Sequence, residues 1–251
     1  MVKEKVTKFI VLFALLGLTV SIIGCSTATE DVNSITDPVK IVEEHVNAIN
    51  NKDYDKVMDY LASGFVYRDD FDEIKGKNEI EALIKEIIEL DSEIEILNIE
   101  EVDNKVVIEA NYTSFITEYL GLKQTITETF EFENGKISAL TALSDEEYLA
   151  EYEKATAGGV GINFDFKDGE IIVLETPHDG PAANAGIEKG DHIVAIDQYK
   201  VSDFNYGSYE AIYRIIGKVG TDVVLTIERK GSGEQEDITI NRVDIQKLFD
   251  N

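Results

Sequence analysis

Gly158-Gly159-Val160-Gly161-Ile162 is the stretch on which the reading of this chain turns. Closely spaced glycines let consecutive backbone N–H groups converge into a nest that holds a carboxylate. Val160, Ile162 and Phe164 then fall on one side of an extended strand. An extended peptide can add as a further strand along such an edge. Alone, the run would describe a flexible joint ahead of an ordinary strand. Two later stretches give it a setting. One is Pro181-Ala182-Ala183-Asn184-Ala185-Gly186-Ile187-Glu188-Lys189-Gly190-Asp191. The other runs from Ser208 to Gly217, with Tyr209, Ile212, Tyr213 and Ile216 at helical spacing.

These three stretches, in this order, resemble a PDZ domain, in the variant found in carboxy-terminal processing peptidases and related bacterial envelope proteins. Gly180 to Gly186 resembles that family's small-residue turn, and Gly190-Asp191 with the strand His192 to Asp197 its next phrase. The resemblance implies a groove lined by Gly159, Val160, Gly161, Ile162, Phe164, Tyr209 and Ile212. It implies that the groove takes a peptide C-terminus ending in an apolar residue such as Ala, Val or Leu. Two positions depart from the family: Ile216-Gly217 stands where Arg-Gly is common, and Gly180-Pro181 is contracted where a serine is often found.

Upstream, Lys3, Lys5 and Lys8 precede an apolar run from Phe9 to Ile23, the pattern of a secretory signal peptide. Fifteen residues fall short of the roughly 20 that cross a bilayer. The run ends Ile22-Ile23-Gly24-Cys25, which resembles a bacterial lipobox and implies lipidation of Cys25, the chain's single cysteine. A diacylated cysteine gives the several acyl chains that stable anchoring needs. The expectation is an exported protein, lipid-anchored on the extracytoplasmic side of the cell membrane. Ser26 to Ile35 is polar and without apolar periodicity, and reads as a tether.

Between tether and glycines the pattern is two helices, a strand, a helix and an antiparallel meander. Asp37-Pro38 opens the first helix, on which Ile41, Val42, His45, Val46 and Ile49 recur at helical spacing. Tyr54 to Leu61 is a second helix, Phe65 to Asp69 a strand, and Gly76 to Leu90 a third helix. Strands follow over Glu93–Glu101, Lys105–Tyr119, Leu122–Glu133 and Lys136–Leu143, with Asn134-Gly135 as the strongest hairpin signal. This order, with Ala48 to Asp55 and Gly76 to Ile80, resembles SnoaL-like and ketosteroid isomerase-like proteins of the nuclear transport factor two-like fold. The resemblance implies a cone with an interior cavity, for which His45 and Tyr67 are the candidate polar residues. An isomerase-like reaction would need a base and donors there, and the sequence supplies no second acid or base with a fixed partner. Ser144-Asp145-Glu146-Glu147 has capping-box spacing and starts a helical connector.

The organisation expected is α+β throughout. A signal peptide covers 1–24 and a tether 25–35. A SnoaL-like domain covers 36–143, a connector 144–157, a PDZ domain 158–243 and a tail 244–251. Net charge is −27, with 30 acids against 10 bases over Glu30–Ala150 and 19 against 10 over Glu151–Asn251. That balance excludes nucleic acid as a partner, because phosphate binding needs clustered Lys and Arg. His45, His178 and His192 have no metal-ligand spacing, and no cofactor is expected. No serine–lysine peptidase phrase follows the PDZ stretch before Asn251. The expected role is therefore a non-enzymatic adaptor or sensor that binds C-termini of envelope or secreted proteins. The alternative is a small-molecule or isomerase-like cavity in the first domain, with the PDZ domain for localisation. A tail from Asp244 to Asn251 lying in the groove would favour a purely structural role.

Overall fold

The computed structural model describes residues 37–249, so the stretches read as signal peptide and tether, with Cys25, lie outside the described residues. Two compact units divide between Tyr148 and Leu149.

In the first unit, α1 (Pro38–Asn50) begins at Asp37, whose carboxylate accepts from the Val39 amide at 3.0 Å. It turns through Asn51 into α2 (Tyr54–Tyr60), capped by Asp53. The chain then lays down β1 (Leu61–Arg68), β2 (Glu73–Lys75) and α3 (Lys77–Glu89). Next come β3 (Glu93–Val102) and β4 (Lys105–Thr113), then α4 (Phe115–Leu120), β5 (Gln124–Glu133) and β6 (Lys136–Ser144). The sheet order is β2-β1-β6-β5-β4-β3, antiparallel except where β1 runs parallel to β6. Asn134 and Gly135 both take positive φ at the β5–β6 turn, as a two-residue hairpin demands.

Period-2 alternation sets one face of this sheet against the helices. Four rows of that face matter below. Ile94, Tyr112 and Gln124 stand opposite one another, as do Ile96, Ala110, Ile126 and Ser144. Ile99, Ile108, Glu128 and Ala142 make the next row, and Val106, Phe130, Leu140 and Tyr67 the last. Most of these join Ile41, Val42, Val46, Ile49, Val57 and Tyr60 in one core. The Asn50 side chain fastens α1 to β3, donating to the Ile94 carbonyl at 2.9 Å and accepting from its amide at 2.8 Å.

Three local expectations are corrected. The strand read from Lys105 to Tyr119 ends at Thr113, and α4 takes over through a reciprocal Ser114–Thr117 capping box. The short strand β2 falls between the strand expected to end at Asp69 and the helix expected from Gly76, where no element was expected. The connector helix α5 (Glu146–Thr156) is capped by Asp145 rather than Ser144. Asp145 accepts from the Tyr148 amide at 2.7 Å, while Ser144 stays in β6 opposite Ile126.

The second unit carries β7 (Gly158–Gly159), β8 (Asn163–Lys167), β9 (Glu170–Glu175) and α6 (Pro181–Asn184). It continues with β10 (His192–Ile196), β11 (Tyr199–Lys200) and α7 (Gly207–Ile215). β12 (Asp222–Glu228), β13 (Gln235–Asn241), β14 (Val243–Asp244) and α8 (Ile245–Phe249) complete it. The main sheet runs β13-β12-β10-β9-β8, with β11 on β10, and β7 pairs separately with β14. β8 is therefore an edge. Its core holds Ile171, Val173, Ile193, Ile196, Leu225 and Ile227, with Ala211 and Ile215 from α7. The core clusters of the two units share no residue.

Candidate functional site

The glycine stretch is held at three points. Gly158 exchanges backbone hydrogen bonds with Gly217 at 2.7 and 3.0 Å, tying the loop to the C-terminal end of α7. A Cβ on Gly158 would lie 2.8 Å from the Gly217 carbonyl oxygen and 2.9 Å from the Val219 nitrogen, so only glycine fits. Gly159 pairs with Val243, and the Val160 carbonyl accepts from the Ala182 amide at 2.9 Å. Gly161 then takes φ +72°, the left-handed turn that lets neighbouring amides converge. Among the described residues the amides of Gly161 and Ile162 make no backbone hydrogen bond. The loop runs directly into edge strand β8, beside which α7 packs, with Phe166 approaching Gly207.

Of the seven residues expected at the groove, Val160 turns its side chain into the core at 1% exposure, and Phe164 follows at 8%. That departs from their expected lining role: they support the loop from beneath. Ile162, Tyr209 and Ile212 are half-buried. On α7, Ala211 and Ile215 face the core and Tyr213 is buried with its hydroxyl 2.8 Å from that of Tyr152, while Tyr209 and Ile212 are only half-buried. The tail is not a loose end. The Ile245 amide donates to the Ala157 carbonyl at 2.9 Å. Its Cγ1 lies 2.8 Å from the place a Gly159 Cβ would take, and Leu248 Cδ2 lies 3.6 Å from that of Gly161. Helix α8 thus covers the outer side of the glycine loop.

Side chains that the sequence did not single out brace this region. Arg242 is buried and donates to the Ile215 carbonyl at 2.8 Å and the Arg214 carbonyl at 2.9 Å, satisfying the open C-terminal end of α7. It follows β13 and lies against Gly217, its Nε 2.9 Å from the place a Gly217 Cβ would take. Glu210 is buried and accepts from Arg214 at 2.7 Å, and the Arg214 guanidinium stacks 3.7 Å over the Tyr199 ring. Asp191 accepts from the Glu188 and Lys230 amides and from Arg229 at 2.7 Å. Burial pushes its carboxyl up, but those three donors outweigh burial and hold it below the usual range. His192 lies 3.5 Å from Glu170, and His178 beside Asp179 is almost wholly exposed.

The first unit holds a second cluster. His45 is 2% exposed, edge-on to Tyr60 and Phe130 at 6.2 Å, and its Nδ1 has no partner. Burial lowers its pKa to about 4, so it sits neutral in the core. Tyr67 is half-buried, and its phenol is pushed well up by burial, then by Asp69 and Glu128. Tyr112 is pushed up to about 12 by burial, against a 2.6 Å hydrogen bond with Ser92. The sequence reading missed Glu128. It is 6% exposed, its Oε2 has no partner, and burial raises its pKa to about 7. Its signal was parity: Glu128 falls in phase with Ile126 and Phe130 on the inward side of β5. Among the described residues no group of three His, Cys, Asp or Glu side chains is placed to hold a metal.

A helix-backed six-stranded sheet followed by a glycine-looped sheet with an open edge defines the class: an α+β protein of two modules. Family comparison gives the modules their names. Residues 42–140 match the SnoaL-like domain, and residues 158–240 match the PDZ domain. Carboxy-terminal processing protease CtpA of Bacillus subtilis is 36% identical over 98 residues, 39% of this chain and 19% of that protein. The carboxy-terminal-processing protease of Bartonella bacilliformis is 38% identical over 95 residues, 38% of this chain and 21% of that protein. The chain thus spans about a fifth of these curated relatives, and the likeness lies in the PDZ region alone. Solved structures similar to part of the chain include a nuclear transport factor two-like protein from Cytophaga hutchinsonii. It has a TM-score of 0.40 and 16% identity, and the match covers 46% of this chain and 96% of that one. An epoxide hydrolase of M. tuberculosis has a TM-score of 0.39 and 21% identity, with 45% and 86% covered.

Proposed function

We propose that the second unit binds the C-terminal end of an extended peptide. The observation that carries this reading is the Gly161-Ile162 pair, whose amides make no backbone hydrogen bond among the described residues, leading into edge strand β8, which pairs with β9 on one side only and lies against α7. Main-chain pairing along β8 supplies affinity, and the half-buried Ile162 and Ile212 favour an apolar last side chain. Affinity in the micromolar range, about 8 kcal/mol, is the expected scale. In this reading the chain is a lipid-anchored, extracytoplasmic adaptor or sensor whose clients are envelope or secreted proteins. The likeness of the PDZ region to the processing proteases supports the peptide. The leader pattern and Cys25 support the location.

Fluorescence anisotropy with a peptide ending in Val, free and amidated, tests the reading. The free acid binds more tightly, and Ile162→Asp abolishes binding while the first unit keeps its fold. Equal affinity for acid and amide would remove the carboxylate nest.

A second reading is favoured by Glu128: the first unit holds a small molecule on its inward sheet face. Chemical-shift changes at Tyr67 and Tyr112 on titration with small aromatic probes test it. Shifts confined to surface residues would count against it.

A further inference from the structure

We propose that the inward face of the first unit binds a compact organic ammonium ion, an amine on an apolar frame, through the Glu128 carboxylate. This rests on the small-molecule reading above and adds the class of ligand.

Glu128 stands between Ile108 and Ala142 in one row of the sheet, with Val106, Phe130 and Leu140 in the next. A polar atom sealed among such residues without a hydrogen bond is destabilising unless something meets it. The unpartnered Oε2 of Glu128 is an acceptor aimed at a place where no side chain of the described residues donates. The face is not buried evenly: Val106, Ile108 and Phe130 are buried, but Ala142, Ser144, Gln124, Tyr112 and Tyr67 are half-buried. Ala110 and Ala142 are the smallest side chains in these rows, and Ala142 stands directly opposite Glu128.

Charge selects the occupant. The charged groups whose fields reach the two tyrosines are all acids: Asp69 and Asp70 at Tyr67, Glu86 at Tyr112, and Glu128 at both. His45, a basic side chain edge-on to Phe130 in the next row, is held neutral by burial. An anionic ligand is repelled, and a neutral one gives Glu128, which burial holds partly protonated near pH 7, no partner for its charged form. An ammonium donates to Oε2 and meets the faces of the tyrosine rings, an arrangement that strengthens as water is excluded. Its apolar frame rests on Ile108, Phe130 and Ala142.

The test is calorimetric titration of the full chain with benzylammonium and with benzyl alcohol, its neutral counterpart of similar shape. The expected result is at least about tenfold tighter binding of benzylammonium, with Glu128→Gln erasing that preference. Ala142→Leu keeps the carboxylate but fills the adjoining space, and weakens both probes. Ile162→Asp, in the other unit, changes neither. Circular dichroism melts confirm that each variant is folded. If benzyl alcohol binds as well as benzylammonium, or if Glu128→Gln retains the preference, the ammonium inference falls while the small-molecule reading stands. If neither probe binds up to about 10 mM, both fall.

Discussion

Glu128 and His45 pull the stability of the first unit in opposite directions as pH changes. Glu128 has an ordinary pKa of 4.5 and a folded value of about 7. Between those values the folded state holds the extra proton, so stability falls as pH rises and the loss is complete above about 7. His45 has an ordinary pKa of 6.5 and a folded value of about 4. There the unfolded chain holds the extra proton, so its contribution is full above 6.5 and is lost as pH falls towards 4. Each slope is about 1.4 kcal/mol per pH unit, and over their shared range the two nearly cancel. Wild type should therefore have a nearly flat profile between pH 5 and 6.5, whereas Glu128→Gln should gain stability steadily with pH across it. Hydrogen exchange at core amides such as Ile108 reads this unit directly, and parallel profiles for the two proteins would mean that Glu128 ionises normally. Asp191 shows the usual carboxylate sign: its folded pKa is depressed, so its contribution is present above the unfolded value and lost as pH falls through the folded one. Asp191→Asn should weaken the second unit by about 2 kcal/mol at neutral pH, measured by denaturant midpoint.

At the scale of elements, α8 is the feature that bears most on peptide access. Its Leu248 lies against Gly161, and β14 before it occupies the outer edge of β7. Leu248→Asp should lift the helix from the loop and tighten peptide binding by about threefold or more, as expected when a covering element no longer competes. Weaker binding by anisotropy would instead make α8 a support for the nest. The helix was not legible in Asp244 to Phe249, because so short a segment carries no period of its own and packs on Gly159 and Gly161. The opposite holds for α7, where the spacing of Tyr209 and Ile212 stood in the sequence. The parity read over Val160, Ile162 and Phe164 failed, because Gly161 at φ +72° interrupts the strand and Val160 and Phe164 turn into the core. The strand misread through Phe115, Thr117 and Tyr119 shows why local pattern can fail: those residues alternate, yet Ser114 and Thr117 cap a helix turn that ends at Gly121 in the left-handed region. Arg242 was illegible for another reason. Its partners Arg214, Ile215 and Thr221 lie twenty or more positions away, and only the folded sheet brings them to it. Glu128 could have been found, since an acid in phase with buried aliphatic residues is a contradiction that calls for a cause.

For the whole molecule, the two core clusters and the acidity set the expectations. Because the clusters share no residue, Phe130→Ala should cost the first unit about 3–5 kcal/mol and leave the affinity of the second for its peptide unchanged. The charge acts over a longer range. A peptide C-terminus is an anion, and it must approach a chain of net charge −27 to reach amides that attract it only at contact. Long-range repulsion is screened by salt, with a Debye length of about 30 Å at 0.01 M and about 8 Å at 0.15 M, whereas the hydrogen bonds of the nest are not. An uncharged peptide with a free C-terminus should thus bind faster and a few-fold more tightly as salt rises across that range. A peptide with two or three lysines upstream of the same terminus should show the reverse, because its cationic part is drawn to the acids that repel the carboxylate. Stopped-flow association at several salt concentrations separates the two. If both peptides weaken alike with salt, attraction at the nest outweighs the field of the molecule, and the excess acid has no part in selecting its ligand.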